Sequence, residues 1–239
     1  MARRYIDFIS AYCDNWCERC AFTDRCSHFA VQSAIGMCDG DFEKAIELAI
    51  GQPRVPGEAP QQTIVERMAD VLGDEDEPSP KEVETIGREL DERRERLARV
   101  RVAEMSTDYA VAVHRWFADH KGIEADPDPA VRHAIETIGR DCFLIHVKIM
   151  RALDGRDESP DGTWFEESPV QSDWNGSAKV ALISIQRSEP AWRTVAASTR
   201  DEASTVLAGA LAALHEEMNR EFPRAMEFRR PGFDDRPVP

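Results

Sequence analysis

Apolar residues recur at spacings of three and four along most of the chain, and no run of alternating β-branched residues interrupts this pattern. Such steps return to one face of an α-helix, so the pattern predicts an all-α protein. Helices are predicted at residues 3–19, 25–35, 41–50, 62–72, 81–119, 129–153, 174–199 and 201–221.

Two polar stretches separate groups of these predicted helices. Residues 73–80 combine four consecutive acidic residues with two prolines, and residues 154–173 are rich in Gly, Pro, Ser and Asp. The first stretch predicts a boundary between a cysteine-bearing region of short helices and a bundle of about four longer helices on which it packs. The predicted domains are a cysteine-bearing region at 1–73, a helical bundle at 81–222 and a C-terminal tail at 223–239.

The charge of the chain limits its partners. It carries 45 acidic and 30 basic residues, a formal net charge of −15. Such a surface repels phosphate backbones and anionic lipids, so non-specific nucleic-acid binding is not expected, whereas a basic protein partner is favoured. No eighteen consecutive apolar residues occur, and the amino terminus has no apolar run. We therefore expect neither a membrane span nor an export signal, and a cytoplasmic location.

The most informative chemical feature is a cluster of cysteines. Four of the six cysteines fall within fourteen residues, namely Cys13, Cys17, Cys20 and Cys26. Cytosolic thiols are kept reduced, so this crowding favours ligation of a metal or an iron–sulfur cluster over disulfides. An alternative is simple core packing, because Ile6, Ile9 and the first three cysteines share one face of an ideal helix. Cys38 and Cys142 lie outside the cluster and receive no assigned role.

The spacing of the thiols constrains what they bind. In an unbroken helix Cys13 and Cys20 lie about 10 Å apart along the axis, at about 1.5 Å per residue. Thiolates on one zinc ion, each about 2.3 Å from the metal, lie less than about 4 Å apart, so zinc binding by all four requires a helix break near Cys17. A four-iron cluster is wider and tolerates a longer span. Asp24 is predicted to cap the following helix and to place Cys26 in its first turn.

The segment from Cys17 to Cys26, with the spacing Cys-x2-Cys-x5-Cys, resembles the cluster segment of iron–sulfur-containing RecB-type exonucleases. Those enzymes add a more distant cysteine and a β-rich nuclease core with metal-binding carboxylates and a lysine. In this chain Cys13 lies next to the triad, and the helical pattern provides no such core. The resemblance implies a four-iron cluster but no nuclease activity.

Two other spacings resemble redox sites of different classes. Cys13-x3-Cys17-x2-Cys20 has the spacing of radical S-adenosylmethionine enzymes, and Trp16-Cys17-Glu18-Arg19-Cys20 resembles the thioredoxin site. Both families place the motif after a β-strand, and no strand is predicted here. We therefore assign neither activity.

The leading prediction is a soluble helical protein that binds a [4Fe-4S] cluster through these four cysteines, for electron transfer, redox sensing or structural support. Four thiolate ligands leave no open iron, which argues against substrate activation at the cluster. The first alternative is a zinc-stabilised interaction or scaffold protein. The second is an enzyme with a metal or ligand site in the bundle. Its candidate residues are Glu104, Asp108, His133, Glu136 and His146.

Overall fold

The structure, a computed structural model, describes residues 5–51, 79–158 and 168–234. In these ranges the protein is all-helical, and short helices and 3-10 turns precede longer helices, which confirms the predicted fold class. The α-helices are α1 (Ser27–Met37), α2 (Phe42–Ile50), α3 (Pro80–Ala98), α4 (Arg101–Asp119), α5 (Pro129–Glu158), α6 (Asp173–Thr199) and α7 (Glu202–Glu221). The predicted helix at 62–72 lies outside the described residues.

The segment predicted as one helix at 81–119 forms two helices, α3 and α4. The break falls at Val100, whose extended backbone has φ −67° and ψ 133°. This β-branched residue packs against the core, and its carbonyl accepts a hydrogen bond of 2.8 Å from the N–H of Ala103 in the new helix. No glycine or proline marks the break, so spacing alone missed it.

The described residues fall into two compact units. One comprises those of Met1–Gly87 and Pro231–Pro239, and the other spans Arg88–Arg230. The second unit contains a continuous apolar core built by α4, α5, α6 and α7, in which the most extensive contact joins α5 to α6. Helices α4, α5 and α7 bury one face each, as the sequence spacing requires, whereas α6 buries every residue from 175 to 182.

A buried ion pair joins the two central helices of the second unit. The side chain of Asp141 on α5 is fully buried, and Arg187 on α6 donates to both of its oxygens. Ser188 donates a third hydrogen bond of 2.9 Å to the same carboxylate. The charge of Asp141 is therefore compensated inside the core, where an unpaired carboxylate is costly.

The first unit packs α1 against α2 across a tight turn. Gly40 adopts φ 87° in this turn, a left-handed conformation that suits glycine, and its N–H donates to Ile35 O at 3.1 Å. Asp41 then caps α2 by accepting from Lys44 N at 3.1 Å. The hydroxyl of Tyr5 donates to Ala49 O, which attaches the segment before the cysteines to α2.

Among the described helices, none is long and apolar enough to span a membrane.

Candidate metal centre

The cysteines do not lie on one helix, so the predicted helix at 3–19 is wrong. In its place are short 3-10 turns at Ile9–Tyr12 and Cys17–Arg19, with Asn15 between them in a left-handed conformation at φ 54°. The Asp14 side chain accepts from Trp16 N at 3.1 Å, an Asx-type turn that competes with helical hydrogen bonds. The chain therefore turns where the ideal helix would have separated the thiols.

All four clustered cysteines lie at the ends of short elements and line the same pocket. Cys13 ends the first turn, Cys17 begins the second and Cys20 ends it. Cys26 is the N-cap of α1, which begins one residue later, so the predicted capping role belongs to Cys26 and not to Asp24. The break before Cys17 removes the length constraint that an unbroken helix would have placed on a shared ligand.

Backbone N–H groups are directed at three of the four sulfurs. Asn15 N lies 3.4 Å from Cys13 Sγ, and Phe22 N lies 3.4 Å from Cys20 Sγ. Phe29 N lies 3.5 Å from Cys26 Sγ at the start of α1. Hydrogen bonds of this kind stabilise negative charge on sulfur and are among the contacts that tune iron–sulfur and zinc thiolate centres.

Aromatic and aliphatic side chains form the walls of this pocket. Ile9 and Trp16 line it and are buried, and Phe29 and Phe233 line it from α1 and from the C-terminal segment. The Arg19 guanidinium lies 4.1 Å from the centre of the Trp16 ring in a cation–π contact. The pocket is therefore mainly apolar, with thiols as its principal soft ligands.

In this structure the side chains of the pocket are not grouped as they would be in a completed metal site. Across residues 5–51, 79–158 and 168–234, no three His, Cys, Asp or Glu side chains are close enough to hold a metal ion together. The four thiols share one pocket without this closer convergence. The donor chemistry of the four thiols fits a soft metal or an iron–sulfur cluster, since the thiols and the N–H groups directed at sulfur lie together in a pocket with apolar walls.

Neither of the other two cysteines lines this pocket. Cys38 follows α1 and donates its backbone N–H to Ala34 O at 3.0 Å. Cys142 is buried in α5, where its thiol donates to Gly139 O at 3.3 Å. Burial raises the pKa of the Cys142 thiol to about 11, so it is neutral at ordinary pH and suited to packing.

The carboxylate and histidine candidates of the bundle are not brought together. Glu104, Asp108, His133 and Glu136 are exposed, and the nearest approach of His133 to Glu136 is a surface contact of 3.9 Å. His146 is half-buried beside Ser106, with Nδ1 and Oγ 3.0 Å apart. All five lie within the described residues, and they form no group that could hold a metal ion.

Sequence reasoning missed two walls of the cysteine pocket. Phe29 lies one helical turn after Cys26, so its position follows once the start of α1 is known. Phe233 lies far away in sequence and carries no local signal that relates it to the cysteines. Its place in the pocket depends on the tertiary fold.

Comparisons with protein families, with curated protein sequences and with solved structures give no match to this chain. Its function must therefore be argued from the residues of the pocket themselves.

Proposed function

We propose that the protein binds a [4Fe-4S] cluster through Cys13, Cys17, Cys20 and Cys26, for electron transfer, redox sensing or structural support. The observation that carries the proposal is that all four thiols line one pocket, although they come from two separate 3-10 turns and a helix cap. Closely spaced thiolates with hydrophobic shielding are characteristic ligands of such clusters. Among the described residues no three of these side chains are close enough to hold a single metal ion, so zinc binding would require the thiols to move closer together.

The few buried apolar residues in the described part of the first unit support a structural contribution from the cofactor. In the part of that unit that the structure describes, the buried apolar residues are Ile9, Tyr12, Trp16, Ala34 and Ala45. Two of these are alanines, which bury little surface. Units with few buried apolar residues usually depend on a metal, a disulfide or a partner for stability, and the six cysteines, all within the described residues, form no disulfide. A cluster would connect the turns that this core does not hold.

A redox contribution rests on the surroundings of the thiols. Trp16 shields the pocket, and N–H groups face three of the sulfurs, which are the features that set the potential of a cluster. With four protein thiolates the cluster has no open iron, so one-electron exchange is favoured over substrate chemistry. The net charge of −15 would steer a basic redox partner toward the protein in the cytoplasm.

Zinc is the second candidate, and the same few buried apolar residues in the described part of the unit favour it. A structural zinc bound by four thiolates supplies folding energy directly, and the break before Cys17 allows the thiols to converge on one ion. In that case the protein would be an interaction or scaffold protein without redox chemistry.

The test is anaerobic purification followed by visible spectroscopy and analysis of iron, acid-labile sulfide and zinc. The double variant Cys17→Ala/Cys20→Ala removes two ligands, and Cys38→Ala is the matched control outside the pocket. We expect a brown protein with about four irons and four sulfides, reduced to background in the double variant and unchanged in Cys38→Ala. A colourless protein with one zinc would replace the cluster with the zinc proposal. Metal-free protein in every preparation would overturn both.

A further inference from the structure

The pocket of the four cysteines is completed by a segment that follows the whole bundle in sequence. Phe233 lines this pocket together with the thiols. We propose that Phe233 is a positioning residue of the cofactor site, and that residues 231–234, here called the C-terminal strap, cover the cofactor and restrict its contact with solvent and oxidants. The inference rests on the proposed function.

The first observation is the contact between Phe233 and the cysteine segment. Its ring meets that of Phe22 edge-on, with the centroids 5.1 Å apart and the planes at 75°. This is a favourable aromatic geometry. Phe22 also donates its backbone N–H to Cys20 Sγ. The strap thus packs on the residue that hydrogen-bonds one of the sulfurs.

The second observation is independent of that ring. Gly232 adopts φ 78°, and a Cβ at this position would lie 2.9 Å from Ile6 Cδ1 and 3.1 Å from Ile9 Cδ1. The backbone of the strap therefore lies directly on two apolar side chains, one of which, Ile9, is buried and lines the pocket. The strap is therefore fitted against the cysteine segment at two adjacent residues, Gly232 and Phe233.

The physical consequence is control of access. An apolar shell around a thiolate centre governs how water reaches it and thereby its stability and potential. The strap also makes the amino-terminal site depend on a segment that is synthesised after the bundle. We infer that the cofactor is retained stably only once Phe233 has packed.

The experiment compares Phe233→Ala and Phe233→Leu with the wild type, and uses Phe143→Ala as a matched control. Phe143 lies on α5 and is 61% exposed, so its removal tests loss of an aromatic ring away from the pocket. Two rates are measured. One is alkylation of each pocket cysteine in metal-free protein, mapped by mass spectrometry, and the other is bleaching in air of anaerobically reconstituted protein.

We expect Phe233→Ala to raise both rates by about tenfold, the scale of outer-shell effects on metal centres. Phe233→Leu should give smaller increases, because it keeps apolar cover without the ring, and Phe143→Ala should match the wild type. Unchanged rates in Phe233→Ala, in a protein that still binds the cluster, overturn the strap and leave the proposed function standing. If no metal binds, the proposed function fails, and faster alkylation in Phe233→Ala still supports the strap as a cover of the thiols. If Phe233→Ala does not fold, the alkylation and bleaching rates of Phe233→Leu decide. Rates above those of the wild type support the strap, and rates equal to those of the wild type overturn it.

Discussion

The backbone N–H of Phe29 lies 3.5 Å from Cys26 Sγ, so one sulfur both caps α1 and lines the pocket of the four cysteines. An N-cap side chain satisfies one of the free N–H groups of the first helical turn. The same N–H is in a position to stabilise a thiolate ligand. Helix formation and the proposed cofactor binding therefore involve the same sulfur atom.

Substitution of Cys26 separates these two roles. Cys26→Ser keeps a side chain that caps helices well but replaces the soft sulfur ligand, whereas Cys26→Ala removes both. We expect both variants to lose cofactor, and only Cys26→Ala to lose the cap as well, at a cost of about 1 kcal/mol. Metal analysis and unfolding of the metal-free proteins measure the two effects. Retention of full cofactor in Cys26→Ser would show that this sulfur is not a ligand.

Substitution of two glycines should shift stability in opposite directions. Gly232→Ala introduces a Cβ at φ 78° next to Ile6 and Ile9, and we expect a loss of about 1–2 kcal/mol, the cost of left-handed backbone for an L-residue. Gly209→Ala lies inside α7 with open space around it, and we expect a gain of about 0.5–1 kcal/mol. Denaturant unfolding measures both. An unchanged free energy of unfolding in Gly232→Ala would mean that the strap accommodates the extra methyl group without strain.

The Asp141–Arg187 pair predicts a large effect in the second unit. Asp141→Ala leaves the guanidinium without its buried partner, and we expect the free energy of unfolding to fall by about 3 kcal/mol. Glu189→Ala breaks a pair whose Arg193 side chain is 71% exposed, and is the control with an expected loss below about 1 kcal/mol. Urea unfolding distinguishes them, and equal losses would contradict the importance of burial.

His146 predicts a pH dependence of the bundle. Burial lowers the pKa of His146 because it disfavours the charged imidazolium. The unfolded chain therefore binds the proton more readily than the folded chain does. The contribution of the neutral His146 side chain to stability is complete above about pH 6.5, the ordinary histidine value, and is lost as the pH falls through the lowered pKa of the folded state. His146→Gln should reduce the loss of stability on acidification, whereas His133→Gln, at an exposed site, should not. Unfolding midpoints measured across this range test the difference, and parallel curves for the wild type and His146→Gln would contradict it.

Much of the bundle was accessible from the sequence. The predicted helices at 129–153, 174–199 and 201–221 correspond to α5, α6 and α7 with shifts of a few residues at their ends. Helices α5 and α7 each bury one apolar stripe, whose spacing can be read directly from the sequence, whereas α6 also buries residues 175–182 without interruption. The break at Val100 was not accessible, because packing and not a breaker residue interrupts the helix.

The cysteine segment shows the opposite case. The spacing of three and four residues from Ile6 to Cys20 predicted one helix, but local hydrogen bonds to Asp14 and Cys13 produce turns instead. A prediction from periodicity takes regularly spaced apolar residues to be core positions of a helix. It fails here because cysteines occupy three of those positions. The choice of candidate ligands did not depend on that helix, because it came from the crowding of the cysteines.

By itself the sequence determined the helical class, the acidic charge and the identity of the four candidate ligands, because these properties follow from composition, local periodicity and the crowding of cysteines. Tertiary structure decided that the four thiols share one pocket and that Phe233 forms part of its wall. The physical reason is range: hydrogen bonds within a few residues set the turns, whereas the contact of Phe22 with Phe233 exists only after the chain has folded back on itself.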